Sequence, residues 1–256
     1  MLLRRHARKI FYDIDDALMH HNRAVGLVSR WRTRRNFLAT ARVVDHVVAG
    51  NEHLAEIFRG QGCDVSVIPT MIESRHYTVK VHEATRTPRL VWIGSRSTIQ
   101  YVERFLPALE QAAREIPELK LLIIANASVT GDALIFEHEE WSEQTESAAL
   151  CRGDIGIAPT PMDDWTMGKC GFKILQYMAS GLPVIASPVG ANAELVQEGI
   201  TGYLPKTPDD WPHAIKSLAS DHALRARMGA AAREVAVSRY SLERAADDWT
   251  ELLSAI

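Results

Sequence analysis

The sequence predicts an α/β protein whose main part is a parallel, doubly wound sheet. Three observations carry that prediction. From residue 89 onward, short β-rich runs alternate with helical stretches, the pattern of strands joined by crossover helices. Runs such as LLII (121–124) and PVIA (183–186) are continuously apolar, as strands covered by helices on both faces must be. Strand-like runs lead into helical ones through glycine-bearing turns at Gly94, Gly171 and Gly190. In such sheets ligands bind outside the carboxyl ends of the strands.

The N-terminal part repeats the style on a smaller scale. ARKIFYDID (7–15), ARVVDHVVAG (41–50) and DVSVIP (64–69) read as strands, and NEHLAEIFRGQG (51–62) as a helix. With so few strands, residues 1–75 read as an incomplete Rossmann-like lobe, and 76–88 as a linker. The regular alternation then fills 89–240. Its strands are RLVWI (89–93), LKLLII (119–124), ALIFE (133–137), DIGIAP (154–159), PVIAS (183–187) and GYL (202–204). Its helices are 97–115, 142–151, 171–180 (ended by Gly181 and Pro183) and 191–197, the last capped by Asn192. Helices follow at 207–220, 222–238 and 241–254. The first opens with TPDD, a threonine cap, proline at the first helical position and two acids in the first turn. The last segment, 241–256, is expected to pack back on the N-terminal lobe.

Bulk properties narrow the class. The chain has 256 residues, 46% hydrophobic and 24% charged, with a net charge of -3. It lacks an apolar run near the roughly 20 residues that span a bilayer. Its first residues, MLLRRHARKIFYDIDD, lack a signal-peptide apolar stretch. Cys63, Cys151 and Cys170 are odd in number, far apart and without CxxC spacing, which favours a reducing cytosol over a disulfide framework or zinc site. The ten histidines make no HxxxH or HExxH pair, so a metal centre is not expected. Residues 1–42 hold ten Lys/Arg against Asp13, Asp15 and Asp16. Such a segment is either a solvated helix face or a surface for anionic lipid. Aromatics do not interleave with the basic residues as in a base-stacking platform, so nucleic acid is not an expected partner.

The candidate site starts at GKCGFKILQYMASG (168–181). Gly168 and Gly171 let the backbone turn and a ligand approach closely. The first-turn amides of the following helix form an anion site. Lys173 sits in that first turn, where a cation costs about 0.3–1 kcal/mol unless an anion is bound. Lys173 and Gln176, three apart, share a face, with Phe172, Leu175 and Met178 expected to pack inward. Gly94-Ser95-Arg96-Ser97-Thr98 is a second phosphate cradle, in which Ser97 and Gln100 fit a capping box. The turn at Gly190 is the third.

On these residues a family resemblance enters. GFKILQYMASGLPVIASPVGANAELVQEGITGYL (171–204) resembles the donor-site signature of family 4 glycosyltransferases. There the usual pattern is a glutamate, a Gly-Phe-Gly-like loop, then Glu-Ala-Met-Ala-x-Gly-x-Pro-Val-Ile. The resemblance implies the two-lobed GT-B fold and a nucleoside-diphosphate-sugar donor. It also implies transfer to an acceptor hydroxyl with retention, and no cofactor. The family's two glutamates fall on Gly168 and Gln176. Gln176 is thereby implied to hold the ribose, and Gly168 cannot touch the sugar. WTMGKCGFK (165–173) is similar to a recurrent variant of the loop, which puts Lys169 or Lys173 on the diphosphate and Gly168, Cys170, Gly171 and Phe172 along the donor. By the same resemblance Gly94, Ser95, Ser97, Thr98 and Gly190 face the donor, and Trp141 lies near its base.

FYDIDDALM (11–19) is open to three readings. Asp13, Asp15 and Asp16 position the acceptor hydroxyl, or they cap the following helix. Alternatively the strand-DxDD pattern resembles haloacid-dehalogenase phosphatases, in which Asp13 attacks phosphorus beside Mg²⁺. The companion lysine and acidic pair of that chemistry do not follow in a compatible order. A partner chain or a second copy is expected to complete the N-terminal lobe, or else the chain is a fragment of a longer enzyme. A binding module without turnover is the competing class, and the expected location is cytoplasmic, with peripheral contact at a membrane face.

Overall fold

The computed structural model describes residues 6–21, 26–84 and 88–255. Two parallel sheets organise it. The first contains β1 (Phe11–Ile14), β2 (His46–Ala49) and β3 (Val65–Val67), in the order β1-β2-β3. Helices α1 (Leu27–Ala41) and α2 (Glu52–Arg59) connect them. Val47, Ala49, Leu54 and Phe58 form its small core, with Phe58 between the rings of Tyr12 and Phe37 at 5.8 and 5.0 Å. The sequence reading extends the second strand back to residue 41. The structure confines it to 46–49 and makes 27–41 a helix, because Phe37 reaches Phe58 from a helical segment free of glycine and proline.

The second sheet is built from β4 (Arg89–Ile93), β5 (Lys120–Ile124), β6 (Ile135–Glu139), β7 (Ile155–Ala158), β8 (Val184–Ala186) and β9 (Gly202–Tyr203). Its order is β6-β5-β4-β7-β8-β9, with every pairing parallel. The connecting helices are α3 (Ile99–Glu115), α4 (Glu146–Leu150), α5 (Asp164–Met167), α6 (Phe172–Ala179) and α7 (Ala191–Leu195). Then come α8 (Trp211–Ser220), α9 (His222–Arg239) and α10 (Leu242–Ala255). Side-chain alternation along β4 serves both faces. Leu90 and Trp92 join Leu109 of α3 and Trp211 of α8; Val91 and Ile93 join Leu175 and Met178 of α6. That double coverage is why the strands read as unbroken apolar runs.

The order reverses at β4, whose neighbours are β5 on one side and β7 on the other. Strands on either side of such a switch point diverge at their carboxyl ends and leave a crevice. Here β4 and β7 pair only at Leu90–Ile155 and Val91–Gly156. Beyond that, the Tyr177 hydroxyl replaces the ladder. It accepts from the Ile93 amide and donates to the Ile157 carbonyl, each at 3.0 Å. Gly156 makes room for this ring, since a Cβ there would lie 2.5 Å from it.

Several local expectations are corrected. The acids at 13–16 do not cap α1, whose N-cap is Gly26. The helix expected from 207 opens as a 3-10 turn at Pro208–Asp210, held by a reciprocal Thr207–Asp210 capping box, before α8 begins at Trp211. Asn192 lies inside α7, and Gly190 is its N-cap. The described part of 76–88 is a strap on the second sheet's helices. Lys80 donates its amide to the Ser180 carbonyl and pairs with Asp154 at 3.3 Å, and a His82 ring nitrogen bonds the Gly181 carbonyl. Beyond the strap, α10 faces Ser66–Pro69 across a cavity of about 580 Å³.

Candidate functional site

Of the three sequence-predicted phosphate turns, two lie at the switch point, after β4 and after β7, and the third, at Gly190, follows the neighbouring β8. Gly94 rests on the Trp92 ring, where a Cβ would approach to 2.5 Å. The turn then displays hydroxyls. Ser95 and Ser97 are 2.8 Å apart through their Oγ atoms, and Thr98 Oγ1 accepts the Ser95 amide at 3.2 Å. The expected Ser97–Gln100 capping box is not made. Gln100 instead donates to the Ser97 carbonyl, and Thr98, the N-cap of α3, makes no side-chain cap.

The second turn is fixed by glycines and by a clamp. Asp163 and Thr166 form a reciprocal capping box on α5. Gly168 packs on Ala17, whose methyl would lie 2.4 Å from any Cβ at 168. Gly171 has φ +71°, and a Cβ there would meet Leu195 at 2.4 Å, so glycine alone fits both the left-handed backbone and the space. No side chain caps α6, which leaves its first amides for another acceptor. Gly190, with φ +53°, packs against the Met167 carbonyl. Asn192 ties the third turn to the second, donating to the Ser187 carbonyl at 3.2 Å and to Thr160 Oγ1 at 3.3 Å.

The two lysines differ in environment. Lys169 Nζ pairs with Asp16 at 2.9 Å and lies 5.1 Å from the Trp165 ring centroid. Lys173 Nζ lies 4.5 Å from the centroid of Trp92, the same ring that supports Gly94. Burial, and then the charge of Lys169, push the Lys173 ammonium down to about 7. An ammonium over an indole face, short of water and beside a second cation, is a site that gains from an incoming anion.

Around them stand the other expected residues. Leu175 and Met178 are buried as expected, but Phe172 is 48% exposed, because the first position of α6 points away from the core. Gln176 is buried and hydrogen-bonds Tyr77. The Tyr77 hydroxyl donates to Glu146 at 2.6 Å, and the other Glu146 oxygen accepts the Trp141 indole, also at 2.6 Å. Cys170 turns toward the first sheet. Its thiol donates to the Asp15 carbonyl at 3.0 Å and fills the space beside Gly50, and burial pushes it up to about 12. Asp13 sits on β1 with its carboxyl held above the ordinary range by burial and by Asp15. Neither Asp13 nor Asp15 meets the lysines; Asp16 does. His20 faces Asp164 at 3.9 Å, and Asn51 donates to the Lys169 carbonyl at 3.1 Å. Sequence reasoning missed Asp16 as the partner of Lys169, together with Tyr77, Glu146, Trp92 and Trp165. Their roles depend on contacts between distant segments, which local spacing does not encode.

Comparison with known proteins bears on the family and the fold. The family model described as "Glycosyl transferases group 1" matches residues 87–221. The sulfoquinovosyl transferase SQD2 of Arabidopsis thaliana is 28% identical over 146 residues, which cover 52% of this chain and 28% of that protein. A D-inositol 3-phosphate glycosyltransferase of Corynebacterium diphtheriae is 23% identical over 215 residues, covering 78% of this chain and 50% of that protein. The chain thus spans half or less of the length of these relatives. Sucrose-phosphate synthase from Thermosynechococcus elongatus superposes with a TM-score of 0.77 at 17% identity, over 99% of this chain and 69% of that one. Anabaena HepE, solved in complex with UDP-glucose, superposes at 0.73 with 16% identity, over 97% and 73% of the two chains.

Proposed function

The chain belongs to the group 1 glycosyl transferases, and from that membership we propose that it moves a sugar from a nucleoside-diphosphate sugar to an acceptor hydroxyl. The observation that carries the reading is the convergence at one sheet switch point of Lys173, Lys169, the uncapped start of α6 and the Gly94–Thr98 turn. The donor diphosphate lies there. Gln176, steadied by Tyr77, holds the ribose, and Trp141 lies at the base.

In the reaction the bond between the sugar's anomeric carbon and the β-phosphate oxygen breaks, and its electron pair leaves with the diphosphate. The acceptor oxygen bonds the same carbon, and its proton passes to a phosphate oxygen of the leaving group. Lys169, Lys173 and the α6 amides stabilise the charge that develops on that group, often the largest catalytic contribution. With those cations in place the reaction needs no metal, and it proceeds with retention. Asp13 and Asp15, at the end of β1, orient the acceptor.

A binding module without turnover is the second reading. A specific feature favours it: Ala17 occupies the space beside Gly168, leaving no room for a side chain that would touch the transferred sugar. One experiment separates the two. Incubation with radiolabelled UDP-glucose and other sugar nucleotides, with chelator present, gives labelled sugar or glycoside if the chain is a transferase. Saturable binding with no release of nucleoside diphosphate would establish the module instead.

A further inference from the structure

Helix α1 is apolar on two sides. Phe37 faces inward to Phe58. On the other side Leu27 and Val28 are 81% and 80% exposed and Trp31 is 61% exposed, and among the described residues no side chain of α1 is buried. Leu27, Trp31 and Arg34 follow one another at helical spacing, with Val28 and Arg35 on the adjacent stripe. Arg35 lies 5.1 Å over the Trp31 ring. The helix carries four arginines (Arg30, Arg32, Arg34 and Arg35) and no acid. None of the four has an ion-pair partner among the described residues. Its first turn therefore combines two aliphatic side chains and an indole in water with a surrounding set of uncompensated guanidinium groups.

We propose that this face of α1 docks on the surface of an anionic bilayer. The chemistry fits that occupant on three counts. Tryptophan settles at the headgroup level, aliphatic side chains enter the acyl boundary beside it, and a cluster of arginines is attracted to anionic headgroups. A nucleic acid would use the arginines but leave Leu27 and Val28 in water, and Trp31 is already covered by Arg35 on one side. α1 returns from the carboxyl end of β1, the end that carries Asp15–Ala17 and meets Gly168 and Lys169. The docking turn thus lies on the cleft side of the first sheet. That the acceptor hydroxyl is borne by a bilayer lipid rests on the transferase reading; the docking itself does not.

Vesicle flotation tests it with the whole chain. The chain should float with phosphatidylcholine vesicles containing about one-third phosphatidylglycerol and not with phosphatidylcholine alone, and roughly 0.5 M salt should release it. Arg34→Gln and Arg35→Gln should each weaken partitioning about five-fold. Trp31→Ser and Val28→Asp should weaken it too without lowering the melting temperature, because all four side chains are exposed. Equal binding to neutral vesicles would overturn the proposal, as would binding that these variants leave unchanged. So would failure to bind vesicles while duplex DNA is bound, or while Trp31→Ser dissolves a concentration-dependent dimer. The UDP-glucose thermal shift of Trp31→Ser, expected to equal that of the native chain, reports on the donor site separately.

Discussion

Raising the pH from 6 to 8 should weaken UDP-glucose binding about ten-fold, through Lys173 alone. Burial over the Trp92 ring and repulsion from Lys169 bring this ammonium to about 7 in the free protein. About nine in ten molecules then carry the charge at pH 6 and about one in ten at pH 8. A diphosphate binds the charged form, so the affinity follows that fraction until the complex's own higher pKa takes over. Binding at pH 8 should accordingly take up nearly one proton. The sugar-nucleotide pyrophosphate has no ionisation of its own near neutrality, so the slope belongs to the protein. Titration calorimetry from pH 6 to 9, in two buffers of different ionisation enthalpy, measures both affinity and proton uptake. Lys173→Met should bind more weakly at pH 6 and show neither slope nor uptake. A flat profile in the native chain, or the same slope in Lys173→Met, would refute the reasoning.

The same group fixes a stability profile. Its folded pKa lies below its unfolded value of 10.5, so the unfolded chain holds the extra proton between about 7 and 10.5. Its contribution to stability should rise with pH across that window and be smallest below 7. Urea melts of the native chain and Lys173→Met should therefore converge as the pH rises. Gly168→Ala places a methyl 2.4 Å from that of Ala17 and should cost about 1–3 kcal/mol, visible as a lower melting temperature; adding Ala17→Gly should restore most of it. Glu110, a buried residue of α3, accepts the amides of Asp132, Ala133 and Leu134. Glu110→Ala should cost about 2–3 kcal/mol in a denaturant melt, with little effect on donor affinity. Tyr77→Phe frees Gln176 and Glu146 from each other and should weaken UDP binding several-fold while leaving inorganic pyrophosphate unaffected, as competition titrations would show.

The second sheet was largely legible in the sequence because its central strands are covered on both faces. Residues such as Leu90 to Ile93 and Leu121 to Ile124 declare that coverage in composition alone. Helix α1 was not, because its apolar residues divide between Phe37 inside and Leu27, Val28 and Trp31 outside, and so form no single stripe. At the site, Gly168 and Gly171 were readable as close-approach positions, the Gly94 turn as a phosphate cradle, and Lys173 and Gln176 as neighbours on one face; the resemblance added the role of Gln176 toward the ribose. The Lys169–Asp16 pair joins residues 153 apart in the chain, and the Tyr77–Glu146–Trp141 chain joins the strap to α4. No local periodicity carries such pairings. The capping expectations failed at Ser97 and Asn192 for a related reason: each side chain bonds within its own turn instead, Ser97 Oγ with Ser95 Oγ and the Asn192 amide with the Ser187 carbonyl.

The most direct test of the account is a crystal structure of the chain soaked with UDP-glucose. The account predicts the diphosphate between the first turn of α6 and the Gly94–Thr98 turn, with Lys173 Nζ moved from Trp92 to a phosphate oxygen. A bound nucleotide elsewhere, or a crevice between β4 and β7 that stays closed by its own side chains at saturating ligand, would contradict it.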